Sequence, residues 1–124
     1  MALNRALRLR KGSDFQRVRQ QGRSITSRLL ILAWIPNQLG RPRIGFVVTK
    51  RISRLAVERN YIKRLLSEAM RHAMQRSLPE LPSGRDIVLS ARNQATRADL
   101  HTLEEDLVNL LNQARLLEAG DDIK

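Results

Sequence analysis

Hydrolysis by protein groups alone commonly uses paired carboxylates that hold two metal ions or a histidine with a partner. This chain offers few such candidates. Glu58 and Glu68 stand ten positions apart on one predicted helix. That is about 15 Å along the axis, against roughly 4 Å between the ions of a two-metal site. Asp14 and Asp86 meet only if the fold brings them together. His72 and His101 fall on different predicted helices with no partner at ligand spacing, as packing or surface histidines do. No glycine-rich phosphate loop and no Ser/His/Asp signature is present. Catalytic and metal-binding residues are therefore expected to be none, which leaves binding.

For binding, the informative run is Glu58-Arg-Asn-Tyr-Ile-Lys-Arg64. It sets Arg59, Asn60, Lys63 and Arg64 on the opening turns of a helix, with no carboxylate between Arg59 and Arg64. Such crowding repels itself unless a polyanion lies against it. The charge is uneven along the whole chain. Residues 1–76 hold 18 Lys/Arg against 3 Asp/Glu, and residues 77–124 hold 5 against 9, within a net charge of +11. One face is thus built for phosphate and another left to water. Only Lys11, Lys50, Lys63 and Lys124 are lysines. Arginine forks match phosphate bidentately and stack on bases, so the bias favours nucleic acid over a lipid surface.

At 124 residues without cysteine the chain is long enough for one core, with no disulfide and no thiolate metal site. Its longest apolar run, Leu29 to Ile35, is too short to span a bilayer, and the N-terminus has no apolar signal core. A cytoplasmic protein with no membrane partner is expected.

The elements that must position these groups follow from patterning. Residues 1–12 read as an extended basic arm. Ser13-Asp-Phe-Gln16 has the form of a capping box, Gly22 a stop, and a short helix is predicted over 14–21. Leu29 to Ile35 and Arg43 to Thr49 read as strands joined by Asn37–Pro42 into an antiparallel hairpin. A helix over 55–77 buries Ile62, Leu65, Leu66, Ala69, Met70 and Ala73, and carries Asn60, Lys63, Arg64, Ser67 and Arg71 as a polar ridge on the other side. Ile87 to Ala91 is a further strand, parallel to the one before the long helix. Thr96-Arg-Ala-Asp99 reads as the cap of a last helix over 97–117, and 118–124 as a frayed tail. The order is α-β-β-α-β-α, a single α/β domain of two-layer α+β type with a small mixed sheet.

Two features stay open on the residues alone. Phe15, with Val18, either anchors its short polar helix to the sheet or offers a ring to an unpaired base; Tyr61 either stacks or covers the helix edge. In strand 43–49, Arg43, Gly45, Val47 and Thr49 form a small-residue face that admits close approach of a backbone, or simply a half-exposed strand.

Arg43-Ile-Gly-Phe-Val-Val-Thr-Lys-Arg51, followed by Ala56-Val-Glu-Arg-Asn-Tyr-Ile-Lys-Arg-Leu-Leu-Ser-Glu-Ala-Met-Arg71, resembles the bacterial ribonuclease P protein component. The likeness extends to Phe15, the Asp86-Ile-Val strand and the last helix. Tyr61 and Ser67 depart from it, standing where the family commonly carries arginine. The resemblance implies a left-handed β-α-β crossover, against the usual right-handed rule. It implies a subunit of an endoribonuclease whose large RNA component does the cutting with bound Mg2+. The partners implied are that catalytic RNA and the 5′ leader of precursor tRNA, with no other protein required. Carried over, Arg59, Asn60, Lys63, Arg64 and Arg71 face the RNA subunit. Phe15, Arg17, Arg43, Gly45, Val47, Thr49, Lys50 and Arg51 line the leader site. The competing readings are a ribosomal-type or RNA-chaperone protein of similar fold, and a stand-alone nuclease using Asp14 or Glu58.

Overall fold

The computed structural model describes residues 8–77 and 84–122. The elements run α1 (Gly12–Gln21), β1 (Arg23–Thr26), β2 (Leu30–Pro36), β3 (Arg43–Val47), α2 (Ala56–Ser77), β4 (Arg85–Ala91), a 3-10 turn (Asn93–Arg97) and α3 (Leu100–Asp122). The α+β class with a mixed sheet is present, but the order is α-β-β-β-α-β-α. The added strand, β1, is polar and mostly exposed, with only Ile25 half-buried, so it carries no apolar alternation.

The sheet order is β1-β2-β4-β3. The expected hairpin of β2 with β3 is not formed, because β4 lies between them. It pairs antiparallel with β2 (Trp34 opposite Ile87) and parallel with β3 (Gly45 opposite Val88). Asp86, Ile87, Val88 and Leu89 are all buried, as a strand covered on both faces requires. The Asn37–Pro42 connection must therefore pass over the end of β4. Asn37 secures it: its N–H donates to Gly84 O (2.8 Å), and its side-chain amide donates to Arg41 O (3.0 Å) and to Asp86 (2.8 Å). The parallel β3–β4 pair is the one expected across the long helix.

The main core lies between the sheet and the α2–α3 pair. Ile62, Leu66, Ala69, Met70 and Ala73 of α2 and Leu103, Leu107, Leu110 and Leu111 of α3 pack on Leu30, Leu32, Ile44, Ile87 and Leu89. α1 covers the opposite face, where Val18 meets Leu9, Ala33 and Val88, with Phe15 and Val47 at the edge. Among the described residues no helix is long and apolar enough to cross a membrane.

Several boundaries move. α1 begins at Gly12 with Lys11 as its N-cap and no side-chain cap, so Ser13 lies inside the helix and the capping box is not made. The cap of α3 is Asp99, whose Oδ1 accepts the Thr102 N–H (2.8 Å), and not Thr96. That bond holds the Asp99 carboxyl below the usual carboxylate range. α3 continues to Asp122, through most of the stretch expected to fray. The basic arm is anchored at its end: Leu9 is buried, its N–H donates to Ile44 O (2.9 Å), and Arg8 bridges β3 in parallel fashion. The rest of the arm, residues 1–7, lies outside the described residues.

Gly22 ends α1 in extended conformation where β2 passes close by. A Cβ there would stand 2.4 Å from Trp34 O and 2.5 Å from Val18 O. Both obstacles are backbone, so Gly22→Ala is expected to destabilise by roughly 1–3 kcal/mol, as overpacking does. Urea unfolding measures it; an unchanged midpoint would mean that β2 withdraws freely.

Candidate nucleic-acid interface

A groove of about 470 Å3 opens where the edge strand β3 meets α2 on one side and residues 8–10 and α1 on the other. Leu9, Phe15, Ile44, Gly45 and Phe46 supply its apolar surface. Arg8, Arg10, Lys63 and Arg64 supply four cations, with Asn60 and Ser67 between them. No carboxylate is among the lining residues. The cations are exposed, so their forks and ammonium group are free to turn toward a ligand.

Each wall has a local cause. Pairing of Leu9 with Ile44 lays the arm along the open edge of β3, which sets Arg8 and Arg10 beside the groove. Phe15 is held against Gly45: a Cβ on that glycine would meet Phe15 Cζ at 2.3 Å and Leu9 Cβ at 3.2 Å. The ring is therefore an anchor on the sheet and also part of the groove surface. The α2 wall follows from helical spacing, since Asn60, Lys63, Arg64 and Ser67 share one arc.

The structure brings Phe15, Gly45, Asn60, Lys63 and Arg64 of the expected site into this one groove. Other expected residues sit elsewhere. Arg17 Nη2 donates to Asp86 Oδ2 (2.7 Å). Arg43 grips the same carboxylate bidentately, Nε to Oδ1 at 2.9 Å and Nη2 to Oδ2 at 2.8 Å, with Asp14 3.7 Å from Arg43 Nη1. Asp14 and Asp86 thus do approach each other, but with Arg43 between them. Burial pushes the fully buried Asp86 carboxyl up, and the bonds from Arg43 and Asn37 with the charges of Arg43 and Arg17 more than offset it. The net result lies below the ordinary 3.8. The Asp86 hydrogen bond in turn raises Arg43. Val47 packs toward α1.

Past β3, Thr49 O accepts the N–H groups of Ile52 (3.0 Å) and Ser53 (3.4 Å). The resulting turn leaves Lys50 and Arg51 exposed. Arg59 braces this loop, donating from Nη1 to the carbonyls of Ser53 and Arg54 at 3.0 Å each. Arg71 leaves the predicted ridge: its Nη2 donates to Glu68 (3.0 Å) and lies 3.0 Å from His72 Nε2, while His72 Nδ1 meets Glu104 of α3 at 2.8 Å. The Arg71 bond holds the Glu68 carboxyl well below the usual carboxylate range. His72 is therefore part of the α2–α3 seam. Ser67 is 7 % exposed at the groove surface, not on an outer ridge.

Arg8 and Arg10 are the charged groove residues that sequence reasoning did not assign to the site. Their signal was the alternation of arginine with leucine from Leu7 to Arg10, which is strand-like and puts Leu9 inward.

A mixed sheet with a cationic, carboxylate-free groove along its edge strand defines a basic α+β protein fitted to a polyanion that carries flat apolar groups, as RNA does. The model of the Ribonuclease P family matches residues 3–115, and the chain belongs to that family. A "Ribonuclease P protein component" of Chloroflexus aurantiacus is 42% identical over 118 residues, 94% of this chain and 84% of the relative. One from Caldanaerobacter subterraneus is 36% identical over 111 residues, 90% and 91% of the two chains. Among solved structures, the RNase P protein of Staphylococcus aureus superposes with a TM-score of 0.73 at 26% identity, covering 89% of this chain and 96% of that one. The RNase P protein from Thermotoga maritima gives 0.70 at 30% identity, covering 86% and 96%. The chain is thus an RNA-binding component of a tRNA-processing ribonucleoprotein.

Proposed function

We propose that this chain binds the catalytic RNA of ribonuclease P through α2 and holds the 5′ leader of precursor tRNA in the groove along β3 while the RNA cuts. The observation that carries this reading is an apolar groove surface with no carboxylate, flanked by Arg8 and Arg10 on the side given to the leader and by Lys63 and Arg64 on the α2 side given to the RNA subunit. Single-stranded RNA suits such a surface, because bases lie on apolar and aromatic groups while arginine and lysine follow the phosphates. Neither interaction depends on base identity, so many leader sequences are tolerated.

The chemistry is assigned to the RNA. Among the described residues no group of three or more His, Cys, Asp or Glu is arranged to hold a metal ion. Asp14 and Asp86 both face Arg43. Magnesium, which activates water and stabilises the leaving oxygen in such reactions, is accordingly proposed to sit mainly on the RNA subunit. The chain's own part is to bind, align and neutralise, and a cytoplasmic location goes with it.

Reconstitution with a ribonuclease P RNA tests the reading. Adding the protein should restore leader cleavage at magnesium concentrations where the RNA alone is slow. No gain over RNA alone would overturn it, as would cleavage by protein freed of RNA.

A further inference from the structure

Three of the exposed large apolar side chains stand together at the start of α2: Leu55 (61 % exposed), Val57 (80 %) and Tyr61 (57 %). Val57 and Tyr61 are four residues apart, hence on one face a turn apart, and Arg64 follows Tyr61 by three on the same strip. Tyr61 is not part of the groove, whereas its neighbours Asn60, Lys63 and Arg64 line it. The ring therefore sits on the outer flank of α2, with Arg64 between platform and groove.

We propose that Tyr61, backed by Val57, is a stacking platform for one unpaired base of the catalytic RNA subunit, with Arg64 taking the adjoining phosphate. This rests on the reading of α2 as the RNA-subunit face. Charge selects the occupant. Between Arg51 and Ser67 there are five cations and a single carboxylate, Glu58, which accepts a hydrogen bond from Ser53 (2.7 Å). Glu68, the next acid along the strip, is bonded to Arg71. A second copy of this chain docking here would set cations against cations, and a lipid surface would meet too small an apolar area. An unpaired RNA nucleotide brings a flat neutral base to the ring and a negative phosphate to the cations beside it.

The test is binding of the intact protein to ribonuclease P RNA across a salt series, without precursor tRNA. Tyr61→Ala should weaken binding roughly 5- to 150-fold, the range for one lost stacked base. The slope of log affinity against log salt should stay unchanged, because no phosphate contact is removed. Tyr61→Phe should retain wild-type affinity, and Arg64→Ala should make the slope shallower. Wild-type affinity in Tyr61→Ala, with wild-type protein binding well, overturns the platform alone. Failure of wild-type protein to bind the RNA overturns the reading beneath it. A wild-type dimer that Tyr61→Ala dissociates also overturns the platform.

Discussion

Replacing Lys63 and Arg64 together by alanine is expected to lower affinity for ribonuclease P RNA by about two decades near 0.1 M salt. Both side chains are exposed on the α2 wall of the groove. A charge-assisted hydrogen bond contributes about 1.5 kcal/mol, and two of them give roughly a hundredfold. The electrostatic origin gives the prediction a second, sharper arm. Each phosphate contact contributes about 0.7–0.9 to the dependence of log affinity on log salt, so the double variant should be shallower by about 1.4–1.8. Filter binding between 50 and 200 mM salt reads both quantities. A large loss with an unchanged slope would mean that the helix was damaged and no phosphate contact removed. Arg71→Ala is the internal contrast: its guanidinium lies in the seam with Glu68 and His72, so it should leave the slope near wild type.

The second large effect is on stability. Asp86→Ala is expected to cost roughly 3–5 kcal/mol, the range for removing one partner of a buried ion pair. Asp86 is fully buried and takes hydrogen bonds from Arg17, from both arms of Arg43 and from Asn37. Its loss strands the two guanidinium groups and frees the connection that carries the chain over β4. For a domain of this size the melting temperature should fall by roughly 10–20 °C. The pH dependence has a definite sign. The folded carboxyl lies below its ordinary 3.8, so its stabilisation is fully present above about pH 4 and is lost as pH falls through the folded value. The gap between wild type and variant should therefore close in strong acid and stay constant from pH 5 to 8. A gap that instead widened in acid would contradict the assignment.

This network is also where the sequence was least legible. Arg17, Arg43 and Asp86 are far apart in the chain, and an arginine bound to a buried carboxylate looks the same in sequence as one aimed at phosphate. What could be read was periodic. The α2 stripe of Ile62, Leu66, Ala69 and Met70, the α3 leucines and the apolar run of β4 repeat at the spacing their elements demand. The Asn60, Lys63 and Arg64 arc was legible for the same reason, whereas the small-residue face of β3 is met by Phe15 of α1 at Gly45, a long-range contact that its alternation does not reveal. Pairing was harder. A six-residue connection fits a hairpin as well as a crossing over an intervening strand, so β4 between β2 and β3 left no local mark. β1 was missed because a short edge strand buries little, and the inward role of Leu9 was hidden by the arginines around it.

On the function proposed above, the groove gives a chain with so strong a positive charge and so few catalytic candidates its part in an RNA-cutting enzyme, that of holding the leader strand while the RNA cuts. The absence of cysteine makes this directly measurable, since one introduced cysteine carries a photo-crosslinker to a single place. Arg10→Cys puts the probe on the groove wall, and Asn112→Cys puts it on the exposed side of α3. In active holoenzyme bound to precursor tRNA, the Arg10→Cys probe should crosslink to leader nucleotides, and the crosslink should vanish with leaderless tRNA. Asn112→Cys should give none. An active holoenzyme with no leader crosslink from Arg10→Cys, or with equal crosslinks from both positions, would contradict the account.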